Sequence, residues 1–129
     1  IVLGNARMNA TGGTGTIEGG VNNASNDGEY GGTNDADNSG KITYTRLEYP
    51  GIAHTPNNEI NGLTLGSVGS ETEINHVQVS FSGDDAFEWF GGTVNCKYLN
   101  LEKFFGKFKL LECRIARGIF FSKGSKREI

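Results

Sequence analysis

Two ten-residue stretches of this chain can be written one above the other: ITYTRLEYPG (Ile42–Gly51) and INHVQVSFSG (Ile74–Gly83). Ile falls over Ile, Leu47 over Val79, Tyr49 over Phe81 and Gly51 over Gly83, at an offset of 32 residues. A weaker third copy, VNCKYLNLEK (Val94–Lys103), follows the second at an offset of 20, with Val94 under Ile74, Leu99 under Val79 and Leu101 under Phe81. A repeat of this kind restricts the chain more than any composition figure, because each copy must bury its apolar face against its neighbours. Within each copy apolar and polar residues alternate, the period-two pattern of a strand with one buried face.

Shorter strand-like pieces lie between the copies, INGLTL (Ile60–Leu65) and AFEWF (Ala86–Phe90), with Gly, Asn, Asp and Ser at the joints. No 3.6-residue apolar stripe runs for three turns in residues 1–101, so helices are not expected there. An antiparallel sandwich or barrel fits this pattern, and so does a solenoid whose equivalent strands stack in parallel. Unequal offsets favour the solenoid, since insertions between rungs are taken up in loops. The thirteen Asn residues favour it too, because Asn tolerates left-handed corners and can stack in ladders from rung to rung. The expected fold is all-β: a right-handed parallel β-helix (solenoid) fragment of about three to four rungs.

Four runs, IEGGV (17–21), YGGTNDADNSGKITYTRLEYPGI (30–52), NNEINGLTLGSVGSETEINHVQVSFSGDD (57–85) and FEWFGGTVNCKYL (87–99), resemble a family of secreted right-handed parallel β-helix proteins. That family is known from Bacteroidetes-type bacteria, where its members are usually described as hypothetical proteins or lipoproteins. The resemblance covers roughly residues 1–101. It implies a secreted or bacterial cell-surface, outer-membrane-associated β-helix, and it implies no particular reaction. After NCKYLNL the family pattern continues with a polar, Asp-rich rung, whereas this chain reads EKFFGKFKLLECRIARGIFFSKGSKREI.

The charges divide at the same place. Residues 1–101 carry four basic and twelve acidic side chains, and residues 102–129 carry eight basic and three acidic. Such a break marks a domain boundary or a foreign tail. Two units are expected: β-helix rungs over 1–101, and a divergent basic tail over 102–129, supplied by a frameshift or folded as capping strands over the last rung. The acidic body lacks the basic footprint that nucleic acid requires. No apolar run approaches the roughly 18 residues of a membrane span. The chain opens IVLGNARMNA with neither an initiator Met nor a signal peptide, and reads as a mature form or a piece of a longer chain. Cys96 and Cys113 lack metal-ligand spacing and read as two separate thiols rather than one disulfide.

Three places have the residue types for chemistry. The first is GDDAFEWFGGTVN (Gly83–Asn95). Paired carboxylates can divide acid and base roles, so Asp84, Asp85 and Glu88 form a candidate catalytic set, and Trp89, Tyr49 and Glu88 a candidate ligand-binding set. Adjacent strand residues point to opposite faces, however, so a rung corner capped by Asp84 and Asp85 is the favoured reading. The second is NDADNSG (Asn34–Gly40), where Asp35, Asp37 and Ser39 alternate as in the first half of a calcium loop. Arg46 stands where the bidentate Glu belongs, so a solvated turn is favoured over a calcium site. The third is His76, level with Tyr44 and Cys96 in the repeat alignment, which reads as a packing column; His54 lies in a loop.

The functional expectation is a non-enzymatic cell-surface or secreted β-helix segment that binds carbohydrate or a surface partner, with Trp89 or Tyr49 as stacking anchors if they face solvent. One alternative is a polysaccharide-acting lyase or glycoside hydrolase, calcium-assisted, using Asp84, Asp85 and Glu88. It requires two of those carboxyls to converge in an open groove. The other is a fragment with no independent function, prone to associate through uncapped rung ends.

Overall fold

A computed structural model describes residues 1–55, 58–102 and 120–121. In chain order the strands are β1 (Val2–Leu3), β2 (Gly15–Thr16), β3 (Glu29–Tyr30), β4 (Lys41–Glu48), β5 (Ala53–Thr55) and β6 (Asn58–Glu59). They continue with β7 (Leu63–Gly66), β8 (Glu73–Ser80), β9 (Phe87–Phe90), β10 (Cys96–Glu102) and β11 (Phe120–Phe121). No helix occurs among the described residues. One parallel sheet has the order β1-β7-β9 and the other β4-β8-β10-β11; β2/β3 and β5/β6 are small antiparallel pairs. From β7 to β10 the chain passes alternately between the two parallel sheets. Most of the expected basic tail, with Cys113, lies outside the described residues, as do Pro56 and Asn57.

The core lies between the two sheets. Leu63, Leu65, Phe87 and Trp89 reach it from one side, and Ile74, Val77, Val79, Cys96 and Leu99 from the other. Alternation along β7 and β9 puts Leu63, Leu65, Phe87 and Trp89 inside, with Thr64 and Glu88 on the outer face.

The β4/β8 register follows the sequence repeat: Ile42 pairs with Ile74 and Leu47 with Val79, 32 residues apart. The third copy needs a correction. Cys96 pairs with Ile74 and Leu101 with Val79, so the offset is 22 rather than 20. A slip of two residues leaves every side chain on the same face, so a period-two pattern cannot distinguish the two registers. The shift puts Tyr98, not Cys96, level with His76, and Cys96 lies in the core.

Regular alternation also breaks at one position in each long strand. Tyr44, His76 and Tyr98 have φ of 50°, 51° and 54°, and Tyr49 and Phe81 follow with 55° and 58°. A side chain in this left-handed region costs of order 1–2 kcal/mol. The bend turns two consecutive residues outward. Ile74 points in, Asn75 and His76 point out, and Val77 points in again. Because the same bend recurs from rung to rung, the outward rings align in columns.

The Gly83–Asp85 stretch is a corner joined to its neighbours by backbone hydrogen bonds. The Gly83 N–H donates to the Pro50 carbonyl at 2.8 Å, and the Gly62 N–H to the Asp85 carbonyl at 2.7 Å. Gly51, at φ 86°, packs against this corner, and a Cβ there would collide with the backbone nitrogens of Gly83 and Asp84.

Candidate functional site

The outer face of the β4-β8-β10 sheet carries two ring columns. Tyr44 stacks on His76 with ring centroids 4.5 Å apart, and His76 stacks on Tyr98 at 4.4 Å. Five residues further along the strands, Tyr49 stacks on Phe81 at 4.8 Å. A ring inside a column has both faces covered. Among the described residues Tyr44 and Tyr49 each stack on one side only, and they are 80% and 67% exposed. Both follow the same edge of the sheet, since β4 pairs with β8 on one side only. Tyr98 is 55% exposed.

Charges around these rings are paired internally. On β4, between the two tyrosines, Arg46 meets Glu48 at 2.7 Å, and Lys41 meets Glu73 of β8 at 2.7 Å. The Lys41 ammonium, helped by the Asn75 amide, holds the Glu73 carboxyl below the usual carboxylate range. Gln78 donates to Glu102 at 2.8 Å. Beside the Tyr–His–Tyr column runs an open groove of about 400 Å³, lined by Thr72, Glu73, Asn75, Asn95 and Lys97 among others. The face is therefore amphipathic: aromatic surface flanked by amides, hydroxyls and neutralised ion pairs.

A second cluster sits on the outer face of the β1-β7-β9 sheet, under the β2/β3 hairpin. Glu88 of β9 is 6% exposed and accepts a hydrogen bond from Asn61 Nδ2. The same Nδ2 donates to Glu18 Oε1 at 3.1 Å. Burial pushes the Glu88 carboxyl up to about 7, and the Glu18 charge, a hydrogen bond with Glu18 and the Asp85 charge add to the rise, against the Asn61 amide. Burial also raises the Tyr30 phenol, with Glu88 and Glu18 contributing. Two carboxyls thus meet on one amide, and burial favours the protonated form of Glu88.

The family profile of a pectate-lyase-like β-helix domain matches residues 1–104. The chain belongs to that family. No curated protein and no solved structure matches it. The span of the pectate-lyase-like β-helix domain ends just beyond β10, close to where the acidic body gives way to the basic tail. Its parallel ladder supplies the flat outer face on which the ring columns stand.

Within this β-helix domain the residues singled out from the sequence are placed as follows. Asp85 and Glu88 come together, whereas the half-buried Asp84 stays at the corner. The acid that meets Glu88 through Asn61 is Glu18, 70 positions earlier, which no local motif marks. Tyr49 meets the condition of facing solvent. Trp89 does not: at 2% exposure it packs in the core beside Phe87, where no ligand reaches it. Of the other exposed rings of the face, Tyr44 lies level with His76 as the repeat alignment has it, and Tyr98 follows only from the corrected register.

Of the calcium-loop residues, Asp35 is ion-paired with Arg7 and its carbonyl accepts from the Thr93 hydroxyl at 2.6 Å. Arg7 holds the Asp35 carboxyl below its ordinary value. Asp37 accepts from the Ser39 hydroxyl at 2.6 Å. Among the described residues no three His, Cys, Asp or Glu side chains gather as a metal site requires. His54 is exposed on β5.

Proposed function

We propose that this chain is a non-enzymatic, secreted or cell-surface glycan-binding scaffold, a right-handed coil of about three to four rungs of the lipoprotein-associated kind. The observation that carries this reading is the pair of one-sided stacks along the β4 edge, Tyr44 within the strand and Tyr49 just after it. Tyr44 and Tyr49 each offer an uncovered ring face. Sugar rings present apolar C–H faces to aromatic rings and hydroxyls to flanking amides, and both kinds of partner are present here. Arg46 and Lys41 are internally paired, which leaves Lys97 as the groove's remaining cation among the described residues, so a neutral glycan suits the face better than a polyuronate.

The test is native electrophoresis of the 129-residue chain through gels containing neutral polysaccharides, with polyuronate gels in parallel. Retardation by a neutral polymer supports the reading. Migration unchanged in every gel overturns it.

A second reading is a polysaccharide-acting enzyme, favoured by the Glu88 carboxyl. An acid held protonated to about 7 is suited to protonating a leaving group. Against it, Glu88 lies under cover rather than in an open groove. Release of reducing ends or unsaturated products that disappears in Glu88→Gln would establish it.

A further inference from the structure

The exposed Glu18 and the buried Glu88, linked through Asn61, join two parts of the molecule that no strand pairing connects among the described residues. Glu18 belongs to the β2/β3 hairpin, closed by antiparallel pairing of Gly15 with Tyr30 and by the Ile17 N–H donating to the Gly28 carbonyl at 2.8 Å. Glu88 belongs to β9, and Asn61 to the turn before β7. The hairpin lies over the outer face of the β1-β7-β9 sheet. The Tyr30 ring packs 6.0 Å from Phe90 and fills the space that Gly66 leaves by lacking a side chain. The Gly19 N–H donates to Asn58 Oδ1 at 2.7 Å.

We propose that the Gly15–Tyr30 hairpin is a proton-governed flap, held closed over the β1-β7-β9 sheet while the Glu18–Glu88 pair keeps a shared proton and loosened when that proton leaves. With the proton present, Glu88 donates its O–H to the Glu18 carboxylate, and the Asn61 amide donates to both. Without it, two carboxylates face each other across one amide, with the Asp85 charge as a third and the Tyr30 hydroxyl as the remaining titratable neighbour. Like charges brought this close destabilise whatever holds them together. Beyond that pair the hairpin is held by the buried Ile17 and Tyr30 side chains and by the Gly19 hydrogen bond, with no ladder to the sheet beneath it among the described strands, so it is the part that yields. The raised Glu88 carboxyl places the change near neutral pH.

Hydrogen exchange by mass spectrometry on the full chain, from pH 5 to 9 and corrected for intrinsic exchange, tests this. Protection of peptides covering 15–30 should fall about tenfold or more as the pair ionises, an amount corresponding to one unit of coupling. Peptides from β8 and β10 should lose less. In Glu88→Gln the hairpin should stay protected across the range. If that variant does not fold, Glu18→Gln provides the same control, since it also removes one of the two facing charges. Flat protection in the unaltered chain overturns the proposal. So does a fall shared equally by β8 and β10, or one that persists when either glutamate is replaced.

Discussion

Tyr44 and His76 stack with their rings 11° from parallel, and both hold left-handed backbone, at φ 50° and 51°. The strain and the stack belong together. A left-handed bend in one rung would be an isolated cost of 1–2 kcal/mol. Repeated in register, it places rings one above another, and each ring pair returns about 0.5–1.5 kcal/mol beyond its area burial. It also turns aromatic side chains out of the core onto a flat face, where a ligand can meet them.

Replacing His76 separates the two effects. His76→Asn removes the stacks but keeps a residue that tolerates left-handed backbone. His76→Ile removes the stacks and adds a β-branched side chain that resists it. Chemical denaturation should show both destabilised, Ile by about 1 kcal/mol more than Asn. Equal losses would mean that the bend relaxes without cost.

The corrected register makes a pairwise prediction. A double-mutant cycle on His76 and Tyr98, each replaced by Ala, should give a coupling of about 0.5–1.5 kcal/mol. A cycle on His76 and Cys96 should give close to zero, because Cys96 lies level with Ile74 on the buried side. The reverse result would restore the offset of 20.

Glu88 determines how stability changes with pH. Its folded value lies above its unfolded one, so the protonated form stabilises the fold. That contribution is complete below about 4.5, declines as pH rises, and is gone above about 7. Urea titrations between pH 4.5 and 8 should show the midpoint falling with pH in the unaltered chain and nearly flat in Glu88→Gln. The Asp35 and Glu73 carboxyls, held down by Arg7 and Lys41, act in the opposite sense and lose their contribution only as pH falls through their lowered values.

Much of the ladder was legible because burial follows spacing. The copies at 42 and 74 are near-identical in pattern, and β4 and β8 pair as written. The third copy slipped by two because alternation alone was matched. The better signal was a gap of three followed by a gap of two: Ile74, Val77, Val79 and then Cys96, Leu99, Leu101. That gap of three is the left-handed bend itself. Asp84 and Asp85 read correctly as a corner because adjacent strand residues diverge. The Glu18–Glu88 pair was not legible, since it depends on a hairpin folding over a sheet from 70 residues away, and no local pattern encodes that contact. An aromatic beside acids suggests a sugar site, which marks Trp89 as an anchor in the sequence. Its place between the sheets follows from the same alternation that puts Phe87 inside.

The central claim is that the free faces of Tyr44 and Tyr49 bind a neutral glycan. Calorimetric titration of a neutral polysaccharide that retards the chain, against the unaltered protein and Tyr44→Ala/Tyr49→Ala, tests it most directly. The account predicts measurable binding that weakens about a hundredfold in the double variant, roughly tenfold for each lost platform, while the variant still unfolds cooperatively at a midpoint lowered only by the loss of two ring pairs. Equal affinity in both proteins would contradict it and locate the glycan elsewhere.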